Sequence, residues 1–198
     1  MERVAAREVI DARRKSLGAH CLQDWAELAE LAVWIDALKP RVVVEVGSCE
    51  FGWGYIMAPF FSPQATLVGI DPMTKPIIRR EKMDAVIAKL RDEQFTVAHI
   101  EGHSDDNDVM RELVRILGGR KIDLLHIDGG HDYDTVSDDW REYSGYVRSG
   151  GIVAFHDVRS RAAAEQVYRV WDEIVQSGRW ETELIGNQNR VGIGIVRI

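Results

Sequence analysis

"VVVEVGSCEFGWG", residues 42–54, decides the fold. Its opening five residues carry four valines and a single acid, and such a run suits a strand covered on both faces of a parallel sheet. At Gly47 the run stops, and a glycine-bearing turn leads into a helix, a shape that lets a ligand come close to the backbone. Strand, turn and helix open a βαβ unit, and the same alternation continues along the chain.

Further apolar runs predict strands over 66–70, 95–100, 122–127 and 151–155. Amphipathic stretches predict helices near 52–61, 76–91, 107–117, 132–147 and 160–177, preceded by one over about 22–38. Gly118-Gly119 and Gly150-Gly151 supply stops. At the end, "ETELIG" and "VGIGIVRI", joined by the polar "NQNR", predict a hairpin that closes the sheet edge. The expected fold is α/β, a Rossmann-like doubly wound and mostly parallel seven-stranded sheet with an antiparallel C-terminal hairpin and helices on both faces. With no repeat or linker, residues 1–198 read as a single domain, 1–38 being an N-terminal helical segment.

Composition agrees with a globular chain, 45% apolar and 29% charged, and 198 residues should bury roughly 70% of the unfolded surface. A net charge of −7 argues against a nucleic-acid or anionic-membrane partner, while a cationic cofactor remains compatible. Cys21 and Cys49 are the only cysteines, and the N-terminus lacks a signal-peptide core, so a reducing cytoplasm is expected. No apolar run approaches the roughly 20 residues of a membrane span.

In open α/β sheets ligands bind beyond the carboxyl ends of the strands, and here those ends are polar. Strand one ends at Glu45, Gly47 and Ser48, and strand two at Asp71, where a carboxylate can accept both hydroxyls of a ribose. Strand three ends at Gly102, His103 and Ser104. Three such ends point to a nucleoside-containing cofactor.

Together "EVGSCEFGWG", "GIDP", "EGHSDD", "IDLLHIDGGHDY" and "GGIVAFHDV" resemble the successive motifs of class I S-adenosylmethionine-dependent methyltransferases, over roughly residues 22–198. Within that class the chain is most similar to the metal-assisted macrocin O-methyltransferase and cephalosporin-hydroxylase-like group. By position the resemblance implies that Glu45, Gly47 and Ser48 line the methionine side of the cofactor, Asp71 binds its ribose, and Gly102, His103 and Ser104 flank its adenine, with Asp128 also beside the cofactor. Cys49, Glu50 and Phe51 stand where the family usually has glycines.

Asp128 ends strand four, and His156 and Asp157 end strand five, its expected parallel neighbour. Asp128, His156 and Asp157 are therefore the candidate ligands of a divalent cation, magnesium or manganese, with imidazole favouring manganese over magnesium. His131, three residues beyond Asp128, is the candidate general base for a substrate hydroxyl. The expected activity is O-methylation of a small hydroxylated molecule, covered by the N-terminal helix or by the second subunit of a homodimer. Two readings compete: an NAD(P)-dependent oxidoreductase, against which the missing Gly-x-Gly-x-x-Gly counts, and a non-catalytic cofactor-binding protein.

Plainer roles are expected elsewhere. Asp132 and Asp134 complement the N-terminus of the following helix, and Ser160 is the expected cap of the last helix. His99 and His126 are expected as satisfied core or inter-element histidines rather than ligands, and Trp25, Trp34, Trp140 and Trp171 as packing residues. Trp53, beside the glycine turn, touches either cofactor or helix, and Cys49 carries no sign of a nucleophile.

Overall fold

The computed structural model describes residues 1–18, 21, 23–162, 165–186 and 191–198. Helices α1 (Arg3–Leu17) and α2 (Trp25–Leu38) precede β1 (Val42–Val46), α3 (Gly52–Met57) and β2 (Thr66–Asp71). Then follow α4 (Arg80–Asp92), β3 (Thr96–Glu101), α5 (Asn107–Leu117), β4 (Ile122–Ile127), α6 (Tyr133–Ser144), β5 (Val147–Phe155), α7 (Val167–Ser177), β6 (Glu181–Ile185) and β7 (Ile193–Arg197). The seven strands lie in the order β3-β2-β1-β4-β5-β7-β6, the first five parallel and β7 antiparallel to both neighbours. This is the expected doubly wound sheet. Strand order reverses between β1 and β4, the switch point where such sheets open a crevice.

Alternation along β1 builds the two-sided core. Val43 joins the cluster formed with Leu28, Leu31 and Ile35 of α2, whereas Val42, Val44 and Val46 join Leu113 of α5 and Val136 and Tyr143 of α6. Each such fully buried side chain contributes about 1.5–3 kcal/mol of transfer free energy. Glu45 shares Val43's face of the strand, at 4% exposure, so its carboxyl ends up inside the protein.

The departures from expectation lie at element ends. Residues 1–38 form two helices: Gly18 ends α1 in the left-handed conformation, and Asp24 starts α2 by accepting from Ala26 N and Glu27 N. The helix expected from 76 begins at Arg80, leaving 72–79 as a loop over the strand ends. β5 starts at Val147 and runs through Gly150-Gly151, with the β4–β5 register shifting between Ile122 and Leu124, so that glycine pair marks an irregularity inside a strand rather than a stop before one. The last helix starts at Val167, capped by neither Ser160 nor Asp157 but preceded by Gln166. Backbone bonds explain this: Arg159 N donates to Val191 O, Ser160 N to Asp157 O and Gln166 N to His131 O, holding the chain against β7 and the β4 loop before it can turn helical. The expected turn "NQNR" lies outside the described residues.

Gly69 of β2 lets the turn after β1 settle onto the sheet. A Cβ there would come within 2.4 Å of the Phe51 ring and 2.6 Å of Ser48 Oγ, and both neighbours belong to a short tight turn in which Cys49 and Phe51 hold positive φ. Gly69→Ala should therefore destabilise by about 1–3 kcal/mol, read as a lower denaturation midpoint with an unchanged m-value; an unaltered midpoint would mean that the turn moves freely.

Candidate active site

Two cavities lie side by side over the carboxyl ends of the strands and meet at Gly47 and Lys75. The first, of about 320 Å³, is walled by Glu45, Ser48, Trp53, Asp128, His131 and Asp157 among others. The second, of about 280 Å³, is walled by Asp71, Gly102, His103, Ser104, Gly130 and Thr135. The sequence-predicted cofactor residues thus divide by strand: β1 residues serve the first cavity, β2 and β3 residues the second, and Gly47 both. Gly47 (φ 85°) occupies the crossing because a Cβ there would sit 2.2 Å from Asp128 O.

Asp71 is nearly buried and its oxygens are committed first to the backbone. Oδ2 accepts from Cys49 N at 3.0 Å and Oδ1 from Met73 N at 2.7 Å, so the acid ties both loops while each oxygen retains acceptor capacity toward the cavity. On the far side, Tyr143 Oη donates to Ser104 O at 2.7 Å and fixes the β3 loop. The buried Asp139 carboxyl, beside Ser104, is pushed up to about 7 by burial.

The acids and imidazoles of β4 and β5 converge. His156 Nδ1 lies 3.2 Å from Asp128 Oδ1 and 3.1 Å from Asp157 Oδ2, and His131 Nε2 lies 3.8 and 3.4 Å from the same two oxygens. Asp128, His131 and Asp157 offer ligand atoms that all fall within 4.8 Å of one another. Cation–ligand bonds of about 2.1 Å at right angles place neighbouring donors about 3 Å apart, so these spacings suit one hard or borderline cation. Asp157 adopts φ 61°, a strained conformation for a residue with a side chain, and it does so at the site. Although burial alone would lower it, His156 is raised to about 10 by Asp128 and Asp157, while Asp128 falls well below the usual carboxylate range despite burial because His156 and His131 face it. The facing carboxylates of Asp128 and Asp157 raise His131 above the ordinary imidazole value.

Glu45 contrasts with them. Burial, reinforced by the charges of Asp128 and Asp71, holds its carboxyl well above the ordinary range. Its nearest basic group, His126 Nδ1, is 3.6 Å away and is no cation: burial lowers His126 to about 4. Glu45 Oε2, Ser48 Oγ, Gln23 Oε1 and Trp53 Nε1, all of residues lining the first cavity, are buried without a hydrogen-bond partner.

Several expectations resolve here. Asp132 caps α6 by accepting from Thr135 N at 3.0 Å, and Asp134 lies in that helix's first turn. His126 Nδ1 and His99 Nε2 have no hydrogen-bond partner among the described residues, so neither ring is fully satisfied; the His126 ring stacks 4.1 Å from Trp53, with Glu45 Oε1 3.6 Å and Gln23 Nε2 3.3 Å away. Trp53 therefore touches both the cavity and the sheet. Burial pushes the Cys49 thiol up to about 12, which removes it as a nucleophile at neutral pH. Sequence reasoning missed Gln23, Asp139 and the Trp53–His126 stack. Asp139 on α6 carried a readable signal, an acid on a helix face with Val136 and Tyr143; Gln23 carried none.

A methyltransferase-domain family profile matches residues 44–158, more than half of the chain. An uncharacterized protein, R132, of Acanthamoeba polyphaga mimivirus is 31% identical over 149 residues, covering 72% of this chain, and the chain spans 66% of that relative's length. Among solved structures, the O-methyltransferase TomG from Streptomyces achromogenes, in complex with SAM, superposes with a TM-score of 0.68 at 16% identity, covering 100% of this chain and 91% of that one. MycE methyltransferase from the mycinamycin biosynthetic pathway, in complex with Mg and SAH, gives 0.61 at 15% identity, covering 97% of this chain and 54% of that one. These likenesses establish the shared fold, and the family match covers the turn after β1, the acid ending β2 and both acids at the ends of β4 and β5. The chain belongs to the methyltransferase-domain family and carries its class I, Rossmann-like fold.

Proposed function

We propose that the protein transfers a methyl group from S-adenosylmethionine to an oxygen of a small hydroxylated molecule, with a divalent cation assisting. The observation that carries this reading is the convergence of Asp128, His131 and Asp157 on the wall of the same cavity that Glu45 and Gly47 line. TomG and MycE, which share the fold, were solved with SAM and with Mg and SAH respectively, and this supports the assignment of ligands.

The residues present fit both groups. Unpartnered Glu45 Oε2 suits an ammonium, and Ser48 Oγ and Trp53 Nε1 suit a carboxylate, the two ends of an amino-acid moiety. The second cavity, with Asp71 at one wall and His103 and Ser104 at another, suits a nucleoside. Asp128, Asp157 and His156 would hold the cation. When bound, the sulfonium supplies an electrophilic methyl group and the cation supplies a Lewis acid that lowers the pKa of a hydroxyl beside it.

The chain's own residues do the rest. Gly47 lets the two cavities join, so that a ligand spanning them brings its centre toward Asp128. His131, the more exposed of the two imidazoles, accepts the acceptor's hydroxyl proton at Nε2, and Asp128 and Asp157 stabilise the imidazolium so formed. Ile77, Ile78 and Val191 supply apolar wall that excludes water. Transfer then depends chiefly on positioning and needs no covalent enzyme intermediate.

Two outcomes are expected. Calorimetry should show binding of S-adenosylhomocysteine that tightens as pH rises above the ordinary carboxylate range, because the ligand's ammonium requires ionised Glu45 and burial keeps that group protonated further up in pH. Glu45→Gln should bind about tenfold or more weakly and lose this dependence; a wild-type affinity flat with pH would contradict the pairing. For the cation, manganese titration should show that Asp157→Asn and His156→Ala each weaken binding by about 10-fold or more, while His131→Ala changes it by less than about threefold. The reverse pattern for the two histidines would exchange their roles, and full activity in chelator after verified metal removal would end the cation hypothesis.

A further inference from the structure

We infer that Gln23, from the segment between α1 and α2, is the positioning residue that sets which oxygen of Asp128 faces the reaction site. The inference rests on the assignment of Asp128 to that site made above. Gln23 is 5% exposed and lines the first cavity. Its Nε2 donates to Asp128 Oδ2 at 2.5 Å and lies 3.3 Å from His126 Nε2.

The chemistry leaves the amide one orientation. The amide nitrogen meets Asp128 Oδ2 at 2.5 Å, a contact with an acid oxygen that calls for a donor. Turning the amide over would set its oxygen against a carboxylate oxygen at the same 2.5 Å. With the NH₂ group so committed, Gln23 Oε1 is left buried without a partner.

The consequence falls on Asp128. Its Oδ2 is occupied by Gln23, and both imidazole contacts go to Oδ1: 3.2 Å from His156 Nδ1 and 3.8 Å from His131 Nε2. Gln23 thus presents Asp128 to the cluster through a single oxygen. It also makes the site depend on a residue more than 100 positions away in sequence, |i−j| being 105. The N-terminal segment is in this way part of the reaction site rather than only a cover over it. Its anchorage is visible in Asp24, the next residue, which caps α2.

The test uses the full-length protein with Gln23→Met, which keeps the volume and removes the donor, and Gln23→Ala. Manganese chloride titration, S-adenosylhomocysteine calorimetry and crystal structures are the readouts. Expected are a 10- to 100-fold loss of manganese affinity, as for other groups that orient a metal ligand, cofactor affinity within about threefold of wild type, and Asp128 rotated so that Oδ1 leaves His156. In an Asp128→Asn background, Gln23→Met should add no further loss, because the two act through one carboxylate. Unchanged manganese affinity with Asp128 unmoved would overturn the inference, as would a parallel collapse of cofactor binding and thermal stability in both variants, which assigns Gln23 to folding. If the wild type binds no manganese, the cation reading fails by itself, and the crystal structures then decide the role of Gln23: an Asp128 carboxylate unmoved in Gln23→Met overturns it.

Discussion

The contact of Gly47 with the backbone of Asp128 is the constraint on which the site depends. Gly47 N donates to Ile70 O at 2.8 Å, Asp128 N donates to Val46 O at 2.9 Å, and no side chain fits at position 47. These bonds draw the ends of β2, β1 and β4 into one rim, so the residues that follow those strands must share a crevice. His156 N, bonded to Ile127 O, extends the rim to β5. Positioning of these side chains is a property of sheet register, carried by backbone hydrogen bonds.

Placing several carboxylates on one rim creates an electrostatic problem that the fold answers in three ways. Both Asp71 oxygens accept hydrogen bonds from backbone amides, those of Cys49 and Met73. Asp128 and Asp157 gather two imidazoles, His131 and His156, within 3.8 Å of their oxygens. Burial and the neighbouring acids hold the Glu45 carboxyl well above the ordinary range, and its Oε2 has no hydrogen-bond partner among the described residues. A buried polar atom left so on a cavity wall marks a place where a ligand group can pair.

β1, β2 and β4 were legible because their apolar runs are buried on both faces, so no competing pattern obscures them; β1 and β4 match residue for residue. Asp128, His131 and Asp157 were legible as strand-end acids with an imidazole between, since the parallel neighbours β4 and β5 must bring their ends together. Gly69 and Gln23 were not, because each acts through a contact with a residue distant in sequence that no local pattern encodes. The start of α7 was misjudged for the same reason: its composition favours an earlier start, but backbone bonds to Val191 and His131 tie Arg159 and Gln166 outside the helix.

The most direct measurement is a crystal structure of the protein grown with S-adenosylhomocysteine and manganese, with anomalous data collected for the metal. The account predicts one ligand spanning both cavities across Gly47, its ribose at Asp71, its amino group at Glu45, and a single anomalous peak between Asp128 Oδ1 and Asp157 Oδ2. A ligand bound away from Gly47, or a manganese peak that bypasses both acids while the cofactor is in place, would contradict it.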